Sequence, residues 1–125
     1  MIHANDANAV IITHATNNST THTKSAMRAI FGMRVRQWSD GKPIKVFVLP
    51  DSALLHKQFC KQKLNVFPYQ LRRIWNRLVY TGTGHAPIEV ADEQEMARQI
   101  AQTPGAIGYI HLYEADHGYN AITME

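Results

Sequence analysis

Hydroxyl, amide and carboxylate groups concentrate in two short segments of this sequence. The first is the run from Ala15 to Thr23, Ala-Thr-Asn-Asn-Ser-Thr-Thr-His-Thr; the second is the turn Pro50-Asp51-Ser52-Ala53. Groups of these types, set at the start of a helix with its free N–H groups, can hold a small oxyanion. The same residue types are also the ordinary formers of caps and turns. The candidate ligand-binding residues are therefore Thr16, Ser19, Thr20, Asp51, Ser52 and Ala53. His14 and His22 flank the first segment and could add positive charge when protonated.

Other chemistries find less support. Thr81-Gly82-Thr83-Gly84 is glycine-rich, yet it lacks the spacing of a P-loop and the following Lys-Ser/Thr, so nucleotide binding is not expected. His111, Glu114 and His117 have a ligand-like spacing, but His111 falls at a strand end and Gly118 follows His117, so no metal is expected. The one cysteine, Cys60, lies on the apolar side of a helical pattern with Leu55, Phe59 and Leu64, where a thiol is buried and inert. No disulfide can form within the chain. The sequence has no nucleophile elbow, no HExxH and no paired carboxylates in a supporting motif. The expected protein has no catalytic residues and no cofactor.

The elements that must position the two polar segments are legible from periodicity. Residues 8–14 contain the β-branched run Ala-Val-Ile-Ile-Thr of a buried strand. A helix follows, starting at Thr23 or Ser25, with Ala26, Met27, Ile30 and Phe31 on one stripe and Gly32 as its stop. Ser39-Asp40-Gly41-Lys42-Pro43 is a turn that feeds a second strand, Ile44 to Leu49. The next helix runs to about Lys63, with Asp51 or Ser52 as its cap. Pro68 opens a third helix, in which Leu71, Ile74, Trp75 and Leu78 recur at helical spacing. Residues 81–87 read as a loop between helices. Asp92 and Glu95 begin a further helix bearing Met96, Ala97, Ile100 and Ala101. Thr103-Pro104-Gly105 ends it, Ala106 to Leu112 is a third strand, and Tyr119 to Met124 a fourth. Strands alternating with helices give an α/β sheet with parallel members, in one domain spanning residues 1–125 with residues 1–7 disordered.

Composition sets the outer limits. A chain of 125 residues, 45% apolar and 18% charged, can bury one hydrophobic core. Its apolar runs, such as Val46 to Leu49, have strand length, so membrane insertion is not expected. The net charge of +3 is scattered apart from Arg72, Arg73 and Arg77. Those arginines alternate with apolar residues at helical spacing and read as a solvated helix face, so nucleic acid is not an expected partner.

Four segments in order carry a family resemblance. Ala29-Ile30-Phe31-Gly32-Met33 with Trp38-Ser39-Asp40-Gly41 is the first. The strand-turn-helix from Val46 to Phe59 is the second. Trp75-Asn76-Arg77-Leu78-Val79-Tyr80-Thr81-Gly82 is the third, and Thr103-Pro104-Gly105-Ala106-Ile107-Gly108-Tyr109-Ile110 the fourth. Together they resemble the second lobe of phosphate ABC transporter substrate-binding proteins across residues 8–112.

The resemblance implies a single lobe of a type II periplasmic binding protein, with a mixed, mostly parallel sheet flanked by helices. It also implies a periplasmic home, with an export signal already removed, and a phosphate-like oxyanion as ligand. In phosphate binders an Arg ends the strand and Ser-Gly-Thr opens the helix. Here the matching positions hold Leu49 and the stretch Ser52-Ala53-Leu54, and Asp51 places a carboxylate where the anion would sit. Two functions are thus expected alternatives. One is a solute-binding-like protein with weak oxyanion affinity. The other is an accessory, interaction or sensory domain that kept the scaffold and lost the ligand. A lone lobe also leaves apolar surface for a homodimer or a protein partner.

Overall fold

The computed structural model describes residues 8–17, 21–111 and 117–124. The expectation of disorder for residues 1–7 lies outside that range. Five strands make the main sheet in the order β4-β3-β5-β1-β6: β1 Val10–His14, β3 Lys45–Val48, β4 Ile88–Glu89, β5 Ala106–Ile110 and β6 Tyr119–Ala121. β4, β3 and β5 are mutually parallel, β1 runs antiparallel to β5, and β6 antiparallel to β1. Four strands thus share one direction and β1 alone is reversed, which makes the sheet mixed and mostly parallel. Two further strands, β2 Thr21–His22 and β7 Thr123–Met124, form a separate parallel pair.

Helices cover both faces, as a sheet with parallel members requires. Gly108 and Tyr109 show the division, because neighbouring strand residues point to opposite sides. Gly108 lies under Met96 and Ile100 of α4 (Glu93–Gln102), so close that a Cβ would come within 2.5 Å of each. Tyr109 faces the other layer, made by α1 (Lys24–Phe31), α2 (Leu54–Phe59) and α3 (Pro68–Thr81). There the Tyr109 ring stacks on Phe59 at 3.9 Å, and Phe59 meets the edge of Phe31 at 4.7 Å. Each such ring removed from water stabilises the fold by roughly 1.5–3 kcal/mol.

Local signals explain most boundaries. The Thr23 hydroxyl accepts from the Ala26 N–H at 3.0 Å and starts α1; Asp92 does the same for the Glu95 N–H at 2.9 Å in α4. Gln70 reaches back to accept the Phe67 N–H at 2.7 Å ahead of α3, which Gly82 ends in a left-handed conformation. Beyond α2 the chain widens into a π-helical turn, Cys60–Leu64, closed by Asn65 with φ of 55°. The Arg28 Nε donates to the Leu64 carbonyl at 2.7 Å and fixes that turn to α1.

Three expectations need correction. Residues 81–87 do not link helix to helix, because β4 intervenes. It is only two residues long, too short for its alternation to register in the sequence, and it exists because it pairs with β3. The stretch Tyr119 to Met124 is two strands. Ile122 turns its N–H to the Ile11 carbonyl at 2.8 Å, and β7 then joins β2. Neither Asp51 nor Ser52 caps α2. The N-cap is Ala53, with no side-chain hydrogen bond, since the Asp51 carboxylate is engaged elsewhere.

Candidate functional site

At the carboxyl end of β3 the chain turns through Pro50-Asp51-Ser52 into α2, and β4 ends alongside at Glu89. The Asp51 carboxylate is gripped by Arg72 of α3, with Nε donating to Oδ2 and Nη2 to Oδ1, both at 3.0 Å. This two-pronged geometry is the one by which a guanidinium holds any planar oxyanion. Glu89 flanks the same guanidinium at 3.7 Å, and the Arg72 plane lies over the Trp75 ring at 5.1 Å. The hydrogen bond from Arg72, aided by its charge, holds the Asp51 carboxyl below its ordinary 3.8, against partial burial. Arg72 is correspondingly raised by its bond to Asp51.

Behind this pair lies a buried polar relay. The Leu49 N–H donates to the Tyr109 hydroxyl at 2.8 Å, and that hydroxyl is 2.5 Å from His56 Nδ1. A neutral His56 with Nδ1 unprotonated accepts the Tyr109 hydroxyl proton and leaves no donor of that hydroxyl unused. The imidazole is then neutral with its remaining proton on Nε2, 3.6 Å from Cys60 Sγ and 3.9 Å from Asp51 Oδ1. His56 is fully buried. Burial lowers its pKa from 6.5, with the Asp51 charge opposing and the Arg72 charge assisting. Burial also raises Tyr109 and pushes the Cys60 thiol up to about 12. A thiol so protonated is not a nucleophile at neutral pH.

The buried imidazole makes stability depend on pH. The unfolded chain takes up a proton near pH 6.5 that folded His56 refuses. Its contribution is whole above pH 6.5 and is lost as pH falls through the lower folded pKa, with a slope approaching about 1.4 kcal/mol per pH unit. Asp51 is shifted in the same direction and adds its loss only below about pH 3.8. Urea melts of the wild type and His56→Gln between pH 7.5 and 5 are expected to show that slope flattened in the variant. Parallel curves would remove His56 as the cause.

The six sequence candidates do not converge. Asp51, Ser52 and Ala53 sit at the carboxyl end of the parallel strands. Thr16 follows β1, the reversed strand, whose Thr13 pairs with Ile107 close to the amino end of β5. The length of β5, about 13 Å, separates the two ends. The rule that ligands gather beyond carboxyl strand ends therefore applies to Asp51 and not to Thr16. Thr16 lines a small cleft of 210 Å³ with Asn17, Trp38, Ser39, Asp40, Lys42 and Gly105. Its hydroxyl and its N–H both turn to His14 Nδ1, at 2.7 and 3.1 Å. Ser52 is exposed and Ala53 half-buried. Ser19 and Thr20 lie outside the described residues, as does Glu114 of the histidine-glutamate-histidine spacing. His111 of that spacing is within 3.6 Å of Glu93, and no group of three possible metal ligands occurs among the described residues.

Arg72, His56 and Tyr109 were not among the sequence candidates. The helical spacing places Arg72 on a solvated helix face, whereas in the structure it turns along α3 to Asp51. No local signal links them: the contacts span 21, 53 and 60 residues for Arg72–Asp51, His56–Tyr109 and Tyr109–Leu49. The hint available was a histidine on the apolar side of a helix, which needs a buried partner.

The strand order and the flanking helices give the chain the fold of a single lobe of a periplasmic binding protein. Several solved structures are similar to this chain. They include PstS from Borrelia burgdorferi, with TM-score 0.73 and 19% identity over 94% of this chain and 47% of that one. A phosphate ABC transporter substrate-binding protein with bound phosphate from Clostridium perfringens gives 0.71 and 16%, covering 94% and 44%. An ABC-type phosphate transport receptor from Vibrio cholerae gives 0.71 and 15%, covering 94% and 46%. At these identities the likeness is one of fold, and the chain spans less than half the length of each. No family model matches the sequence, and no curated protein does. No helix among the described residues is long and apolar enough to cross a membrane.

Proposed function

We propose that this chain is a non-catalytic interaction or sensory lobe on a phosphate-binding scaffold, in which Asp51 takes the place of the ligand. One observation carries the reading: the Asp51 carboxylate satisfies Arg72 through two 3.0 Å hydrogen bonds at the turn where the resemblance puts an oxyanion. A phosphate arriving there meets a guanidinium already neutralised and two carboxylates, Asp51 and Glu89, that repel it. The neighbours' fold, carried by proteins named for binding and transport, supports a binding role over catalysis. That kinship also supports a periplasmic location.

The second reading is weak oxyanion binding by the lobe itself. The Thr16 cleft favours it, since Lys42 brings a cation into the small space that Thr16 also lines.

Calorimetry with phosphate, sulfate and molybdate at pH 7.5 separates the two. The wild type is expected to give no binding heat at millimolar anion. Asp51→Ala, which leaves Arg72 with Glu89 as its one remaining carboxylate neighbour and the first turn of α2 uncapped, is expected to bind phosphate with a Kd of about 1 mM. Adding Arg72→Ala should abolish that gain. Phosphate binding by the wild type at least as tight as by Asp51→Ala overturns the self-occupied site.

A further inference from the structure

We infer that the cleft between the end of the π-helical turn and the start of α3 is a docking site for an acidic, apolar-anchored segment of a partner protein. This deepens the interaction-lobe reading and rests on it.

Charge is the first observation. Residues 52–88 hold Lys57, Lys61, Lys63, Arg72, Arg73 and Arg77 and not one Asp or Glu, although the chain as a whole has 13 basic and 10 acidic residues. Arg72 is committed to Asp51, but Lys57, Lys61, Arg73 and Arg77 are exposed. One stretch of α2 and α3 is thus uniformly cationic, and a net charge of +3 conceals it.

Shape and apolar exposure are the second. An open cleft of 730 Å³ lies there, lined by Val66, Phe67, Pro68 and Tyr69 together with Lys57 and Lys61. Phe67 is 66% exposed and Tyr69 58%, values far from those of core rings. Their rings stack at 5.7 Å, and the Arg73 guanidinium lies 5.6 Å from the Tyr69 centroid. Aromatic residues and arginine are enriched at protein interfaces, and tyrosine and arginine are among the residues that dominate their binding energy.

The complement of this surface is narrow, convex, negatively charged and apolar at its tip. An Asp/Glu-rich segment with a leucine or aromatic anchor has those properties. A bilayer fits less well, because Phe67 and Tyr69 line a concave cleft beside lysines and do not form the apolar face of an amphipathic helix. Single-stranded nucleic acid needs open ring faces for stacking, and Tyr69 is already engaged by both Phe67 and Arg73.

The test is selection from a phage-displayed library of random twelve-residue peptides on the wild-type protein, with Asp51 intact. Selection is repeated on Lys57→Glu/Lys61→Glu and on Phe67→Ala; all three positions are exposed, and thermal melts check that folding is retained. The expected winners are acidic with an apolar or aromatic residue. The top synthetic peptide should lose at least tenfold in affinity on each variant and weaken with added salt. Selected peptides without acidic bias, no selection above background, or equal affinity for the variants would overturn the proposal. So would stronger binding to phosphatidylglycerol vesicles or to an oligo-dT strand than to the selected peptide. The anion titrations of the Asp51 variants are independent of these outcomes, so failure of the docking site and failure of the self-occupied site are separately visible.

Discussion

Replacing Trp75 by alanine is expected to destabilise the fold by about 3–5 kcal/mol. The indole is fully buried, donates its Nε1–H to the Phe31 carbonyl at 2.9 Å, and lies beneath the Arg72 guanidinium. Alanine removes the ring, strands a buried carbonyl and withdraws the surface that orients Arg72 toward Asp51. Trp75→Phe keeps most of the apolar contact but not the donor, and should cost about 1–3 kcal/mol. Tyr80, 92% exposed near the end of the same helix, serves as the control: Tyr80→Ala should stay within about 0.5 kcal/mol of wild type. Guanidinium melts with fitted m values measure all three. The packing account of α3 fails if Trp75→Ala costs no more than Tyr80→Ala.

Gly105→Ala is the second large effect, at about 3 kcal/mol or more, because left-handed geometry and overpacking add. Gly105 has a φ of +85°, and a Cβ added there would lie 2.4 Å from the Pro43 carbonyl oxygen, a backbone atom with little freedom to move. Its own carbonyl accepts two hydrogen bonds, from the Lys45 N–H at 3.0 Å and from the Trp38 indole at 3.1 Å. A shift that relieves the clash therefore disturbs the entry of β3 and β5 together. Gly41, with φ of +89° and nothing within 4 Å of its added Cβ, isolates the conformational part. Gly41→Ala should cost only about 1–2 kcal/mol. Thermal melts that place the two variants level would show that close approach adds nothing beyond left-handed geometry.

The stretch Pro104-Gly105-Ala106-Ile107-Gly108-Tyr109 was recognisable in the sequence as a pattern. The structure gives the positions from Gly105 to Tyr109 their reasons. Gly105 passes Pro43, Ala106 and Ile107 are fully buried, Gly108 admits Met96 and Ile100, and Tyr109 ties Leu49 to His56. The resemblance was thus carried by residues whose role is packing. The residues of the turn at Asp51 depart from the resemblance, and there the structure shows an internal ion pair.

Sequence alone determined the chain's major elements and its class. The stripe Met27, Ile30 and Phe31, the caps at Thr23 and Asp92 and the β-branched run at Val10–His14 act through neighbours a few residues away, so their signals are local. Tertiary structure alone decided what the turn at Asp51 does. It decided too that Thr16 belongs to the opposite end of the sheet, because the reversal of β1 appears only when β1 pairs with β5. The physical reason is range. An ion pair across 21 residues and a hydroxyl relay across 60 are made by packing α3 and β5 against one turn, and no periodicity in the chain encodes which side chains will meet there.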